Sequence, residues 1–222
     1  VYSLNAKAVY DLTPRDRIWL VNIAGVDEIR LGRTASSDLA DEISNFDIRY
    51  NGWRSATGVN WQRIFGARGV GLLGLTHSEA KVGQQVKDLV SQAVVPPGVS
   101  ADALIARSPV VYAEDSRESE TTIKYDLTIH TPLVDAVQTG VSLKTFGINY
   151  AARSPFGSDS PYSAASGIDP LLLDTRFRSY QSGAYLQGTT QVSARVSVTL
   201  GGRVDHYDIL SEARVSPRAG LT

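Results

Sequence analysis

The feature that most constrains this chain is a two-residue alternation that begins at Arg195, within the stretch Gln187 to Asp208. Val196, Val198, Leu200 and Val204 fall on one side; Arg195, Ser197, Thr199, Arg203 and Asp205 fall on the other. Successive Cβ atoms leave opposite faces of a pleated strand, so this is a β-strand with one apolar and one polar face. Strands of soluble proteins usually run about 5–6 residues, and this alternation lasts roughly twice that. A strand crossing a bilayer needs about 9–11 residues, apolar outward and polar inward. The stretch reads as one stave of a transmembrane barrel, with Arg203 and Asp205 facing the lumen.

Seven further strands are expected upstream. Tyr2, Leu4, Ala6, Ala8, Tyr10 and Leu12 alternate with Ser3, Asn5, Lys7 and Asp11, and Thr13 to Asp16 turns the chain. The second strand, Arg17 to about Val26, is apolar on both faces between Trp19 and Ile23, which leaves its facing open. Trp53 to Phe65 is the third strand, with Trp53, Val59, Trp61 and Phe65 on one face; Gly66 to Gly69 turns into a fourth, Val70 to roughly Ala80. In the fifth, Ile123, Tyr125, Leu127 and Ile129 oppose Thr122, Lys124, Asp126, Thr128 and His130. The sixth runs from Val137 to about Tyr150 and the seventh from Tyr180 to Gly188, with a turn at Thr189 to Gln191. Short turns thus alternate with long polar connections over 27–50, 81–117 and 151–179, the second containing Val95-Pro96-Pro97-Gly98. Long loops at one end only suit an outer-membrane barrel, with short turns on the periplasmic side. Tyr2, Tyr10, Trp19, Trp53, Trp61, Tyr180 and Tyr207 lie towards strand ends, as an aromatic girdle requires.

Composition excludes other classes. A net charge of −1 over 222 residues argues against a nucleic-acid or general polyanion binder. Hydrophobic residues make up 42% and charged residues 20%, which argues against disorder. No apolar run reaches the roughly 18 residues of a membrane helix. Without cysteine there is no disulfide framework, thiolate metal site or cysteine nucleophile. The chain also lacks methionine, even at position 1, and begins and ends within alternating strands, so it reads as an excerpt of a longer protein.

Tyr185, Gln187, Leu200, Gly201, Arg203, Asp205 and Tyr207, followed by Ser216, Pro217, Arg218, Gly220 and Leu221, resemble the late-barrel pattern of TonB-dependent outer-membrane receptors. In that family a strand ending Tyr-x-Gln leads through a turn to Leu-Gly-x-Arg-x-Asp-x-Tyr, then to a Ser-Pro-Arg-x-Gly-Leu strand start. The resemblance implies an all-β fold: an antiparallel transmembrane β-barrel segment of about eight long strands plus the start of a ninth. Residues 1–222 would all belong to the barrel, with no plug domain in this chain. It further implies a Gram-negative outer-membrane location and uptake of a scarce nutrient, a ferric siderophore first, cobalamin or an oligosaccharide next. The implied partners are outer-membrane lipid, an extracellular small ligand, and the inner-membrane TonB complex acting through a plug domain.

Other constellations have ordinary readings. Gly69-Val70-Gly71-Leu72-Leu73-Gly74 matches G-x-G-x-x-G, with Asp88 downstream and a helical alternative over Ser78 to Ala93. A dinucleotide site needs a buried strand before the first glycine and a βαβ unit around it, and neither is legible. His77, His130 and His206 lie on different strands without ligand spacing, so no metal or other cofactor is expected. Glu114, Asp115, Glu118 and Glu120 cluster with Arg117 at the mouth of the fifth strand, and Asp38, Asp41 and Glu42 form a second acidic group; both read as solvated loop. No nucleophile–histidine constellation marks an enzyme. Lys7, Lys124, Asp126, Lys144, Arg195, Arg203 and Asp205 are the lumen candidates, to line a pathway, contact a plug or pair with one another. No ligand-binding residue is assigned, since none matches a ligand-specific motif. Two alternatives stay open: a soluble β-sandwich binding a ligand or glycan, and a small passive porin.

Overall fold

The computed structural model describes residues 1–32, 46–89, 100–154 and 171–222. Asp38, Asp41, Glu42 and the Val95 to Gly98 stretch lie outside the described residues. Nine strands form one antiparallel sheet in chain order: β1 (Tyr2–Thr13), β2 (Asp16–Leu31), β3 (Phe46–Ile64), β4 (Gly69–Asp88), β5 (Val110–Ile129), β6 (Ala136–Ser154), β7 (Leu171–Ser193), β8 (Val196–Tyr207) and β9 (Glu212–Leu221). A helix, α1 (Ala101–Arg107), lies between β4 and β5. At one end the turns are short: Pro14-Arg15, a 3₁₀ turn over Gly66–Arg68, residues 130–135, and Ala194-Arg195. Gly66 has φ 65°, a left-handed conformation that glycine adopts without steric cost.

Five strands run 19 to 23 residues, well beyond the expected lengths. The stretches 27–31, 46–50, 81–88, 110–117, 151–154 and 171–179, expected as loop, are strand. The reason is that polar residues fall on both faces there, so no hydrophobic period marks them, while backbone pairing with neighbouring strands extends the ladder. Ser78 to Asp88 is accordingly strand, not helix, and Gly69 to Gly74 opens β4 between antiparallel neighbours without any βαβ unit. Thr189 to Gln191 is not a turn either. It continues β7, with the Thr189 and Thr199 hydroxyls 2.8 Å apart across the pair. The turn comes at Ala194-Arg195 after a bulge between Gln191 and Ser193, which removes Arg195 from the lumen set. β9 starts at Glu212, four residues before Ser216.

Directly paired residues share a face, so register sorts the whole sheet. Tyr10, Ile18, Trp61, Leu73, Tyr125, Val141, Ala184, Val204 and Val215 stand side by side across all nine strands. On the opposite face Lys7, Val21, Gly58, Thr76, Thr122, Lys144, Gln181 and Tyr207 form the matching row. The first is called the outer face, the second the inner. The ambiguous β2 is apolar on both: Ile18, Leu20, Ala24 and Val26 outward, Trp19, Val21 and Ile23 inward. Trp19 and Tyr207 therefore leave the girdle, whereas Tyr2, Tyr10, Trp53, Trp61 and Tyr180 face outward.

Apolar side chains are left uncovered on the outer face: Val141 is 57% exposed, Leu186 59% and Leu200 62%. The buried hydrophobic residues among those described are Val86 in β4, Leu89 just after it, and Ile105 in α1. Lys87 Nζ donates to the Ile105 carbonyl at 2.9 Å and fastens the helix there.

Candidate functional site

The inner face gathers most of the side chains expected to line a lumen. Six of the seven lumen candidates, Lys7, Lys124, Asp126, Lys144, Arg203 and Asp205, lie on it by register; Arg195 is the exception. Two neighbouring rows hold the centre. One is Asp126, Gly140, Tyr185, Arg203 and Ser216; the next is Lys124, Ser142, Gly183, Asp205 and Arg214.

Charges in these rows are matched locally. Lys124 sits 2.9 Å from Asp126, two residues along the same strand and hence on the same face. Arg203 grips Asp205 in the same i,i+2 geometry, with bonds of 2.6 and 2.7 Å from Nε and Nη2. Asp205 is buried and can hold its charge there because the guanidinium supplies a two-pronged donor. Lys144 reaches Glu120 at 3.1 Å, and Thr122 Oγ1 donates to the same carboxylate at 3.0 Å. Gln187 donates to Gln138 between β7 and β6.

Tyr185 makes the longest reach, donating from β7 across β6 to Asp126 Oδ1 on β5 at 2.8 Å. It can do so because Gly140 lies between them. A Cβ there would come 2.5 Å from the Tyr185 ring and 2.7 Å from the Asp126 carboxylate. Gly183 likewise leaves space for Asp205, whose Oδ1 would sit 2.6 Å from an added Cβ. Sequence reasoning assigned neither glycine a role. The signal was a mid-strand glycine, but only register shows what lies over it.

Higher on the inner face, Ala56, Ser78 and Ala80 leave an open hollow bounded by Glu118, Glu120 and Phe146. Lys7 and Glu118 form no ion pair among the described residues. The expected acidic cluster separates. Glu114, Glu118 and Glu120 face inward, while Asp115 and Arg117 face outward on the same strand, because β5 is extended there. The histidines do not converge either. His77 is outward against Thr121 at 2.8 Å, His130 lies in the turn after β5, and His206 is on the face opposite Asp205.

At the rim, Asp47 is 1% exposed and held by Arg30 Nε and Arg49 Nε, each at 3.0 Å. Sequence reasoning placed Asp47 in a polar loop and missed this cluster. On the short β8–β9 turn, Ser179 Oγ donates to Asp208 Oδ1 at 2.6 Å and the Ile209 amide to the same oxygen at 2.8 Å. These donors, the Ser179 hydroxyl foremost, hold the Asp208 carboxyl below the usual aspartate range.

A family model described as "TonB dependent receptor-like, beta-barrel" matches residues 3–222. Two solved structures of the Pseudomonas aeruginosa ferripyoverdine receptor, FpvA, are similar in fold. One is bound to ferripyoverdine, with TM-score 0.57 and 13% identity over 99% of this chain and 31% of the receptor chain. The other is a complex with a heterologous pyoverdine and iron, with TM-score 0.54, again 13% identity, covering 99% of this chain and 32% of that one. The chain spans about a third of the length of those structures. No curated protein matches the sequence.

Proposed function

This chain belongs to the TonB-dependent receptor-like β-barrel family, and from that membership we propose that it forms part of the wall and outer loops of an outer-membrane nutrient receptor. The observation that carries the reading is the division of one nine-strand sheet into an apolar outer face and an inner face of paired charges and amides. Lipid takes the first, and a water-filled or plugged lumen takes the second. A soluble β-sandwich would instead bury its apolar faces against a second sheet. Among the described residues there is one sheet and no such partner layer.

The role proposed is transport rather than catalysis. A plug domain outside residues 1–222 would occupy the lumen and connect to the inner-membrane TonB complex, which supplies the energy. A ferric siderophore is the preferred cargo, with support from the fold shared with two ferripyoverdine-receptor structures. Cobalamin and an oligosaccharide are the next classes. The test is uptake of ⁵⁵Fe-loaded siderophores by cells carrying or lacking the full-length gene, with and without a working TonB complex. Uptake that needs both is expected. Growth and uptake unchanged by the deletion, across siderophores, cobalamin and oligosaccharides, would overturn the reading.

A further inference from the structure

Beyond the apolar band, on the end with the long connections, the outer face carries two kinds of cation. Arg30 and Arg49 share Asp47, Arg117 holds Glu79 at 2.5 Å, and Lys81 holds Asp115 at 3.0 Å. Arg176 and Arg178 on β7 differ: both are exposed, and neither forms an ion pair among the described residues. Asp174, the next outward residue on the strand, forms none with them either.

Their position is specific. Leu186, Ala184 and the girdle residue Tyr180 lie on the same face of β7 nearer the short-turn end, so Arg178 is the first charged residue met on leaving the apolar band. On one side they adjoin neutral partners, Gly147 for Arg178 and Asn149 for Arg176. On the other side no strand lies alongside among the described residues, because the β7–β8 register ends at Gln181↔Tyr207 and β8 turns back at Asp208. The rim steps down there, leaving both guanidinium groups open from the flank of the sheet. Same-face neighbours on a strand are about 6.6 Å apart along the chain, so two like charges repel unless an anion lies between them.

We propose that Arg176 and Arg178 form a docking site for the phosphorylated headgroup of a membrane lipid, seated against β7 above the apolar band. The chemistry fits, since guanidinium forks bind phosphate oxygens in bidentate fashion, and Tyr180 presents an amphipathic ring at headgroup level. Arg153, the other unpaired outward arginine described here, stands two outward positions above Arg176 and adds long-range attraction. This inference rests on the membrane-barrel reading.

The test titrates phosphatidic acid into the full-length protein in neutral detergent, with bound lipid counted by native mass spectrometry. At about 1 kcal/mol per basic residue near an anionic lipid surface, the double variant R176Q/R178Q should bind about thirtyfold more weakly. R176K/R178K should keep an intermediate affinity, and Arg15→Gln in the turn at the opposite end of the sheet should change nothing. Phosphatidylcholine should bind wild type and variants alike. Equal phosphatidic acid binding by wild type and R176Q/R178Q would overturn the site. So would competition by inorganic phosphate as effective as that of the lipid, since the site would then take free anions. Failure of the protein to insert into vesicles, read by protease protection, would overturn the barrel reading itself; insertion without selective lipid binding overturns only this inference.

Discussion

At the scale of single residues, the Tyr185–Asp126 bond over Gly140 is the most informative contact of the inner face. Tyr185→Phe should remove one hydrogen bond at a cost of about 1 kcal/mol, leaving Asp126 paired with Lys124. Gly140→Ala should cost more, about 2 kcal/mol, because its Cβ collides with the ring and the carboxylate together. Urea unfolding in lipid vesicles checks both, and a Gly140→Ala variant no less stable than Tyr185→Phe would contradict the packing described. Asp208 supplies a pH dependence. Its carboxyl is held below the ordinary value of 3.8, so its contribution to the β8–β9 turn is present above that value and fades as pH falls through the lowered one. Amide exchange at Ile209 should therefore accelerate at acid pH beyond its intrinsic dependence, and Asp208→Asn should abolish the pH-dependent part. Lys124, Asp126, Lys144, Arg203 and Asp205 were legible as inner-face residues because a period of two is a local property. Their partners were not, since pairing depends on registers spanning several strands.

At the scale of elements, facing decides what a strand tolerates. Leu75 and Thr76 are consecutive residues of β4 on opposite faces, in the rows of Leu20–Val59–Ile123 and of Lys144 respectively. An arginine at Leu75 should cost about 2–4 kcal/mol if it sits near the bilayer midplane, whereas one at Thr76 should be nearly neutral. Folding of the two variants into vesicles, followed by the heat-dependent gel shift of barrels, distinguishes them; equal losses would count against the assigned faces. Strand cores were legible where one face was apolar, as in β1, the lower half of β5 and β8. Strand extensions were not. Val110 to Thr121 carries acids on both faces and an arginine on the outer one, and it is a strand because β4 and β6 supply backbone partners. The β7–β8 turn escaped for the opposite reason: Thr and Gln are acceptable in a strand, and only the bulge before Ser193 moves the turn to Ala194.

At the scale of the molecule, β1 and β9 each have a partner on one side only among the described residues, and a band of the outer face is apolar across all nine strands. Residues 1–222 expressed alone should sediment as aggregate in detergent-free buffer, because free strand edges and a bare apolar face both promote association. Analytical ultracentrifugation with and without detergent tests this. A monodisperse species without detergent would favour a sandwich.

The sequence by itself determined the class of the molecule: long strands, their polar and apolar faces, and turns short at one end. These follow from local periodicity and turn chemistry, which neighbouring residues carry among themselves. The tertiary structure alone decided where each strand stops, which charges meet, and that β7 rises past β8 to leave Arg176 and Arg178 at a free edge. Those properties depend on the register between strands, and register is set by partners up to tens of residues away in the chain.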